Sequence, residues 1–160
     1  MWNERQTIEI FHLLFLRAFG ARVPKELFSL KGGCNLRFFL KSIRYSQDMY
    51  FDIRTMSVST LKSNVNHVIE AASFAQALRA QGIEIARASQ PKQTAPTQRW
   101  KLTLRLCESG AELPTKIEFS RRGLDGERAT ESVDAEIIRT YCIYPVIVQN
   151  PGMCSICNCC

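Results

Sequence analysis

Two carboxylates on separate predicted strands are the residues of this sequence best suited to chemistry. Asp48 and Glu118 each lie in a segment where polar and apolar residues alternate, on the polar face of the predicted strand. If the strands are neighbours, both carboxylates can approach one Mg²⁺ ion, which needs only one or two protein carboxylates when water and substrate phosphates complete its coordination. The two histidines, His12 and His67, lie in predicted helices and are interpreted as surface or boundary residues rather than as bases.

A glycine pair before the first carboxylate is suited to binding the phosphates of a substrate. Gly32 and Gly33 follow a short apolar segment, and a helical pattern starts at Cys34. This order leaves backbone N–H groups at the start of the helix free to donate to phosphate oxygens. Lys31 and Arg44 are close in sequence and would add positive charge. Taken alone, a glycine pair more often forms a turn, so the hypothesis depends on its combination with the carboxylates.

The elements that must position these residues alternate between helical and strand patterns. The predicted elements are helices over 4–19, 34–42 and 60–80, and strands over 27–31, 47–54, 83–88, 99–107 and 115–121. Loops are predicted at 90–98 and 123–132. Consecutive strands joined by loops are usually antiparallel. We therefore predict an α+β fold with a mixed β-sheet flanked by helices.

Composition and charge limit the class of protein. Of 160 residues, 46% are hydrophobic and 22% are charged, which excludes a wholly disordered chain. The net charge of +6 permits an anionic partner such as a nucleotide or RNA. No apolar run approaches the ~20 residues that cross a bilayer, and charged residues interrupt the apolar pattern at the N-terminus, unlike in a signal peptide. We expect a cytoplasmic protein with no membrane partner.

Two blocks of the sequence resemble a known family. KGGCNLRFF (31–39), followed by RYSQDMYFD (44–52), is similar to the signature of the nucleotidyl transferase AbiEii/AbiGii toxin family, part of the polymerase-beta-like nucleotidyltransferase superfamily. The signature combines a glycine pair, a short helix, a block that begins with arginine and an aromatic residue, and a third acidic residue on a later strand. The matching residues are Gly32, Gly33, Arg44, Tyr45, Ser46, Asp48 and Glu118.

The resemblance implies a nucleotidyltransferase-like fold and a mechanism of nucleotide transfer. In the family, carboxylates hold Mg²⁺ ions that bridge the triphosphate of an NTP and activate an attacking hydroxyl. Family members are toxins of bacterial toxin–antitoxin or abortive-infection systems, so the implied acceptor is tRNA or another RNA and a further implied partner is an antitoxin. Asp48 and Glu118 are the expected catalytic and metal-binding residues. The expected nucleotide-binding residues are Lys31, Gly32, Gly33, Cys34, Arg44 and Ser46.

Two substitutions depart from the family pattern. Tyr50 occupies the position of a second aspartate, and a phenol with a pKa near 10 is a poor Mg²⁺ ligand at neutral pH. Asp52 is on the same strand face but about 13 Å from Asp48, at ~3.3 Å per residue, so it cannot replace Tyr50 without a bulge. Cys34 stands where Ser or Thr is common. An alternative therefore stays open, in which the chain is inactive and at most binds a nucleotide or an antitoxin.

The C-terminal part of the sequence departs further. Relatives continue through a helical region, so we expect residues 1–148 to form an incomplete nucleotidyltransferase-like domain that lacks this region. Apolar residues cluster over 137–148, and we expect them to form an exposed surface. Residues 149–160 form a cysteine-rich tail, which we expect to be disordered. A zinc site is less favoured there, since structural sites usually take ligands from two separate segments.

Overall fold

The computed structural model describes residues 2–121, 129–143 and 147–150. Its helices are α1 (Glu4–Arg22), α2 (Gly32–Phe39), α3 (Val58–Glu70), α4 (Ala72–Ala80) and α5 (Ala135–Tyr141). Its strands are β1 (Phe28–Lys31), β2 (Asp48–Ile53), β3 (Ile83–Gln93), β4 (Thr97–Leu106), β5 (Glu112–Ser120), β6 (Ala129–Ser132) and β7 (Ile147–Asn150). A 3₁₀ turn, Lys25–Leu27, precedes β1.

Five strands form one mixed sheet in the order β1-β2-β5-β4-β3. Strands β2 and β5 are parallel, and the other three neighbouring pairs are antiparallel. Strands β6 and β7 form a separate antiparallel pair. The prediction of a mixed sheet flanked by helices is confirmed, as is the antiparallel pairing of the three consecutive strands in the second half.

The two faces of the sheet differ in chemistry because the strands alternate in residue type. The apolar face carries Met49, Phe51, Ile117 and Phe119, all fully buried, and packs against the helices. The rings of Phe51 and Phe119 stack with centroids 4.9 Å apart, and Phe19 of α1 packs on Phe119 at 5.3 Å. Each such ring contributes about 1.5–3 kcal/mol on burial. The opposite face is polar. It is formed by Asp48, Tyr50, Asp52, Lys116, Glu118, Ser120, Arg99 and Lys101.

Helix α1 lies at the centre of the molecule. A capping box starts the helix, since the Asn3 side chain accepts from the backbone N–H of Gln6 while the Gln6 side chain accepts from the backbone N–H of Asn3. The helix continues past Gly20 to Arg22, beyond the predicted end. It is buried around its whole circumference from Thr7 to Leu16, as expected for a helix covered on all sides rather than on one stripe.

The single helix predicted over 60–80 is two helices. Ala71 has an extended backbone, with φ −67° and ψ 133°, and separates α3 from α4. No Gly or Pro marks this break in the sequence. Tertiary packing explains it, because the change of direction lets both helices reach the core: Leu61 and Val65 of α3 and Phe74 of α4 are buried. The ring of Phe74 lies 5.9 Å from that of Phe11.

The predicted exposed surface at 137–148 is wrong for the residues that the structure describes there. Ile137 is 7% exposed and Ile143 is 6% exposed, and Ile138 packs against the same core. The loop predicted over 90–98 is shorter than expected, because β3 extends to Gln93 and β4 begins at Thr97. In the loop predicted over 123–132, β6 occupies Ala129–Ser132, and 123–128 lie outside the described residues. Of the predicted cysteine-rich tail, 149–150 end β7, and 151–160 lie outside the described residues.

Among the described helices, none has the length and apolar character of a membrane span.

Candidate functional site

The structure brings the two predicted catalytic carboxylates to the same face of adjacent strands. In the parallel pair of β2 and β5, Asp48 is the register partner of Lys116, and Tyr50 is the register partner of Glu118. Asp48 and Glu118 are therefore diagonal neighbours, with Cα atoms about 8 Å apart for ideal strand spacings. The register of β2 is continuous, so Asp52 stays four residues from Asp48 and no bulge moves it into the position of Tyr50.

Each carboxylate of this polar face has a cation beside it. Lys116 Nζ lies 3.7 Å from an oxygen of Asp48, and Arg99 Nε donates to Glu118 at 2.7 Å. Lys116 also lies over the ring of Tyr50, 5.3 Å from its centroid. A hydrogen bond with Tyr50 and the nearby charge of Asp48 raise the pKa of Lys116. Lys116 and Arg99 therefore offset the negative charges of Asp48 and Glu118, as a bound metal ion would.

The described donor set could hold at most one Mg²⁺ ion through Asp48 and Glu118. Asp48 and Glu118 supply two carboxylates on one face, which is sufficient when a triphosphate provides further oxygens. Tyr50 supplies no carboxylate between them. Within residues 2–121, 129–143 and 147–150, no three His, Cys, Asp or Glu side chains are grouped so that they could hold a metal ion.

The glycine pair is held tightly against the strand that carries Asp48. Gly32 has φ +71°, a conformation that favours glycine, and a Cβ there would lie 3.5 Å from the Tyr50 ring. A Cβ at Gly33 would lie 2.9 Å from Ser46 Oγ, closer than real Cβ atoms approach. Ser46 in turn donates to the Asp48 carbonyl at 2.7 Å. The absence of side chains at both glycines therefore allows α2 to start directly against β2.

The other predicted nucleotide-binding residues differ in their placement. Lys31 is the N-cap residue of α2, and its side chain accepts no hydrogen bond from the first backbone N–H groups of the helix. Its ammonium pairs with Asp52 at 2.6 Å. Arg44 is exposed and lines a cleft of about 570 Å³ together with Arg5, Tyr45 and Ser46. The structure thus places the glycines and Ser46 beside Asp48, and Arg44 in a cleft that Ser46 also lines.

A buried polar cluster, formed by His12, Cys34 and Thr115, lies behind Asp48. His12 Nε2 is 2.8 Å from Thr115 Oγ1, and Thr115 donates to the carbonyl of Gln47 at 2.8 Å. The Thr115 hydroxyl therefore accepts from His12 Nε2–H, which leaves Nδ1 as an acceptor 3.6 Å from Cys34 Sγ. The thiol also lies 3.4 Å from the Asp48 carbonyl. This cluster fixes the backbone at the start of β2 from the side opposite to the polar face.

Burial sets the protonation states of this cluster. His12 is 1% exposed, and burial lowers its pKa to about 3. Burial raises the pKa of Cys34 to about 12. Both groups are therefore neutral at physiological pH. The interpretation of His12 as a surface or boundary residue is wrong, because α1 is buried on all sides from Thr7 to Leu16. Its position four residues after the apolar Ile8 was the available signal.

The position of Cys34 also changes its expected role. Its side chain contacts His12 and the Asp48 carbonyl, and the residue is almost completely buried. The thiol is thus part of the support of Asp48. Only the backbone N–H of Cys34 remains a candidate donor to a phosphate.

A second buried cluster, formed by Glu9, Arg37 and Tyr141, anchors α2. Glu9 on α1 is 3% exposed and receives the guanidinium of Arg37, with Nε 2.6 Å from Oε1. The Tyr141 hydroxyl of α5 donates to the same carboxylate. Burial and the contact with Glu9 raise the pKa of Tyr141. The cluster connects three helices, and sequence analysis did not identify it because its members are far apart in the chain.

Comparison with solved structures shows that this fold is shared with nucleotidyltransferases. MenT4, a nucleotidyltransferase toxin from Mycobacterium tuberculosis, superposes with a TM-score of 0.59 at 19% identity, covering 93% of this chain and 50% of that one. JHP933 from Helicobacter pylori gives a TM-score of 0.55 at 20% identity, with 76% and 46% covered. An H. pylori protein assigned as a nucleotidyltransferase gives 0.52 at 18% identity, with 84% and 57% covered.

The chain spans about half the length of these three structures. No protein-family model and no curated protein matches its sequence. At sequence identities of 18–20%, these similarities show the fold alone. The chain therefore has a nucleotidyltransferase fold.

Proposed function

We propose that this chain is a nucleotidyltransferase-type toxin domain of a bacterial toxin–antitoxin or abortive-infection system. It binds an NTP beside Asp48 and transfers a nucleotide to an acceptor such as tRNA. The observation that carries the proposal is the arrangement of Asp48 and Glu118 on one polar face, with the glycine pair at the start of α2 beside them, within a fold shared with nucleotidyltransferases that include a toxin.

The residues of the chain have separate roles in this proposal. The uncapped N–H groups at the start of α2 bind the phosphates, because a helix N-terminus favours anions. Ser46 and the buried cluster around His12 fix the backbone of Asp48. Lys116 and Arg99 hold the side chains of Asp48 and Glu118 in place before the nucleotide arrives. Asp48 and Glu118 would hold a single Mg²⁺ that accompanies the triphosphate and offsets its charge.

A second candidate function is nucleotide or antitoxin binding without transfer. Tyr50 favours it, because the aromatic ring fills the place of a second carboxylate between Asp48 and Glu118 and packs against Gly32. The cations beside both carboxylates favour it as well, since they reduce the need for a metal. Weak or absent transfer is therefore expected from the natural chain.

The substitution Tyr50→Asp separates the two candidates. It places a carboxylate opposite Glu118 and two residues from Asp48, so Mg²⁺ should bind more tightly, with a smaller gain in turnover. The measurement is Mg²⁺-dependent transfer of label from α-³²P NTPs to total cellular RNA. The transferase proposal predicts transfer that is low in the natural chain, higher in Tyr50→Asp, and lost in Asp48→Ala.

Two outcomes would decide against the first candidate. If Tyr50→Asp binds Mg²⁺ but transfers no label to any RNA, binding without transfer is the better account. If transfer persists in Asp48→Ala, the catalytic site is not the one described here. Tyr50→Phe serves as the matched control, because it retains the ring and adds no carboxylate.

A further inference from the structure

Two lysines on the polar face lie directly opposite each other next to Asp48. Lys101 of β4 and Lys116 of β5 are register partners in the antiparallel pair. Like charges in opposed positions destabilise a sheet, so a bound anion would relieve their repulsion. Lys101 is exposed, and no carboxylate among the described residues lies within ion-pair distance of its ammonium. Lys116 has Asp48 beside it at 3.7 Å, whereas the charge of Lys101 has no such partner among the described residues.

These lysines line a cleft of about 790 Å³ that begins at Asp48 and runs over β5, β4 and β3. Ser89 and Thr103 add hydroxyl groups to the same cleft. Arg87 also lines it but is paired with Glu112 at 2.7 Å. Lysine ammonium groups and Ser or Thr hydroxyls are the side chains that commonly contact the phosphates and sugars of nucleic acids.

The cleft lies on the opposite side of Asp48 from the glycine pair. The glycines follow β1, whereas the lysines are on β5 and β4, and the strand order is β1-β2-β5-β4-β3. In phosphoryl-type transfer the attacking and leaving oxygens are roughly in line. If the leaving phosphates of a nucleotide are held at α2, the attacking hydroxyl would come from the opposite side, which is the side of the lysines.

We propose that the cleft lined by Lys101 and Lys116 binds the phosphodiester backbone of a single polynucleotide strand, the acceptor of the transfer reaction. The inference rests on the proposed function for the identity of the strand as acceptor. RNA and DNA share this backbone chemistry, so both are probes in the test. The binding itself requires neither an NTP nor turnover.

The test is fluorescence anisotropy of the full chain with fluorescein-labelled single-stranded RNA and DNA of the same sequence. Each phosphate contact to a single strand contributes a slope of about 0.7 in log K against log salt. Lys101→Gln with Lys116→Gln should therefore lower the slope by about 1.4 and weaken binding about 25-fold at about 0.1 M salt. Lys101→Arg with Lys116→Arg should retain most of the affinity, which separates loss of charge from loss of fold.

A matched control removes two charges from the helical side of the sheet. Lys62 of α3 and Arg79 of α4 are exposed, and Lys62→Gln with Arg79→Gln should leave binding unchanged. Binding of either strand through the lysine pair supports the proposal. The strand that binds with the higher affinity shows whether the cleft prefers ribose or deoxyribose. The proposal is overturned if neither strand binds. It is also overturned if Lys101→Gln with Lys116→Gln loses no more affinity than the control Lys62→Gln with Arg79→Gln.

The outcomes also separate this inference from the proposed function. If a polynucleotide binds through the lysines but no NTP binds near Asp48, the cleft stands as a nucleic-acid site and the transferase proposal fails. If NTP binds at Asp48 and the lysine variants bind polynucleotide as the natural chain does, the transferase proposal stands and the acceptor cleft is wrong.

Discussion

Burial of His12 couples the stability of this fold to pH. Burial lowers its pKa to about 3 from the ordinary value of 6.5, so between these values the unfolded chain binds a proton that the folded chain does not. The free energy of unfolding therefore falls as pH falls through this window. Between pH 6.5 and 5 the expected loss from this single group is about 1.5 kcal/mol, measured by urea unfolding at a series of pH values.

The matched variants for this prediction are His12→Gln and His67→Gln. The first should flatten the dependence of unfolding free energy on pH between 6.5 and 5, whatever its effect on stability at neutral pH. The second changes an exposed residue of α3 and should keep the dependence of the natural chain. Identical slopes for the natural chain and His12→Gln would show that His12 is not buried in its neutral form.

Gly33 offers a second prediction for a single residue. A Cβ at this position would lie 2.9 Å from Ser46 Oγ and 3.1 Å from Ser46 Cβ. Overpacking of this kind costs about 1–3 kcal/mol, whereas Gly→Ala inside a helix otherwise gains up to about 1 kcal/mol. Gly33→Ala should therefore lower the free energy of unfolding, as measured by chemical denaturation.

A double-mutant cycle with Ser46→Gly tests the cause. The cost of Gly33→Ala should shrink when Ser46→Gly is already present, because the atoms that the new methyl group meets are then gone. Stabilisation by Gly33→Ala alone would contradict the close approach of α2 to the residues before β2.

At the scale of elements, the cluster of Glu9, Arg37 and Tyr141 holds α1, α2 and α5 together. Removing one partner of a buried ion pair costs about 3–5 kcal/mol, because it leaves the other charge uncompensated. Arg37 is partly exposed, so Arg37→Met should lower the free energy of unfolding by about 2–4 kcal/mol. Thermal and urea unfolding measure this loss.

The control for this prediction replaces the charge on the other side as well. Glu9→Gln combined with Arg37→Met leaves no unpaired ion, so it should be more stable than Arg37→Met alone. If Glu9→Gln lowers the free energy of unfolding as much in Arg37→Met as it does in the natural chain, the two residues act independently. The ion pair then does not anchor α2.

The elements also show which parts of the fold can be predicted from sequence. The strands around Asp48 and Glu118 were predictable, because alternation of polar and apolar residues is a local signal with a period of two. The break at Ala71 and the burial of Ile137 and Ile143 were not, because both depend on which surfaces distant helices cover. Tertiary packing overrides local preference at such positions.

The same division holds for the candidate site. Asp48, Glu118 and the glycine pair were identified from local patterns, and the structure places them together. The ion pair of Lys116 with Asp48 could not be foreseen, since it depends on the register of β5 with the distant strand β2. The pair of Arg99 with Glu118 depends on the register of the hairpin formed by β4 and β5. Sequence spacing contains no information on register between strands that are far apart in the chain.

At the scale of the whole molecule, the two faces of the five-stranded sheet have different roles: one packs in the core and the other carries the candidate site. Its apolar face and the helices form the core that fixes the strands. Its polar face carries Asp48, Glu118 and the lysine cleft, and the glycine pair lies beside it where α2 follows β1. A rigid sheet positions such groups more precisely than loops do.

The effect of Mg²⁺ on NTP binding tests the central claim most directly. Isothermal titration of the natural chain, of Asp48→Ala and of the control Glu70→Ala is performed with each NTP, with and without Mg²⁺. Glu70 is exposed at the end of α3, on the helical side of the sheet. Glu70→Ala therefore removes one carboxylate without touching the polar face.

If Asp48 receives the ion that accompanies the triphosphate, Mg²⁺ should tighten binding of at least one NTP by about tenfold, equivalent to about 1.4 kcal/mol. This gain should persist in Glu70→Ala and disappear in Asp48→Ala. Failure of every NTP to bind, or an equal gain from Mg²⁺ in Asp48→Ala and in the natural chain, would contradict the assignment of the polar face as a nucleotide site.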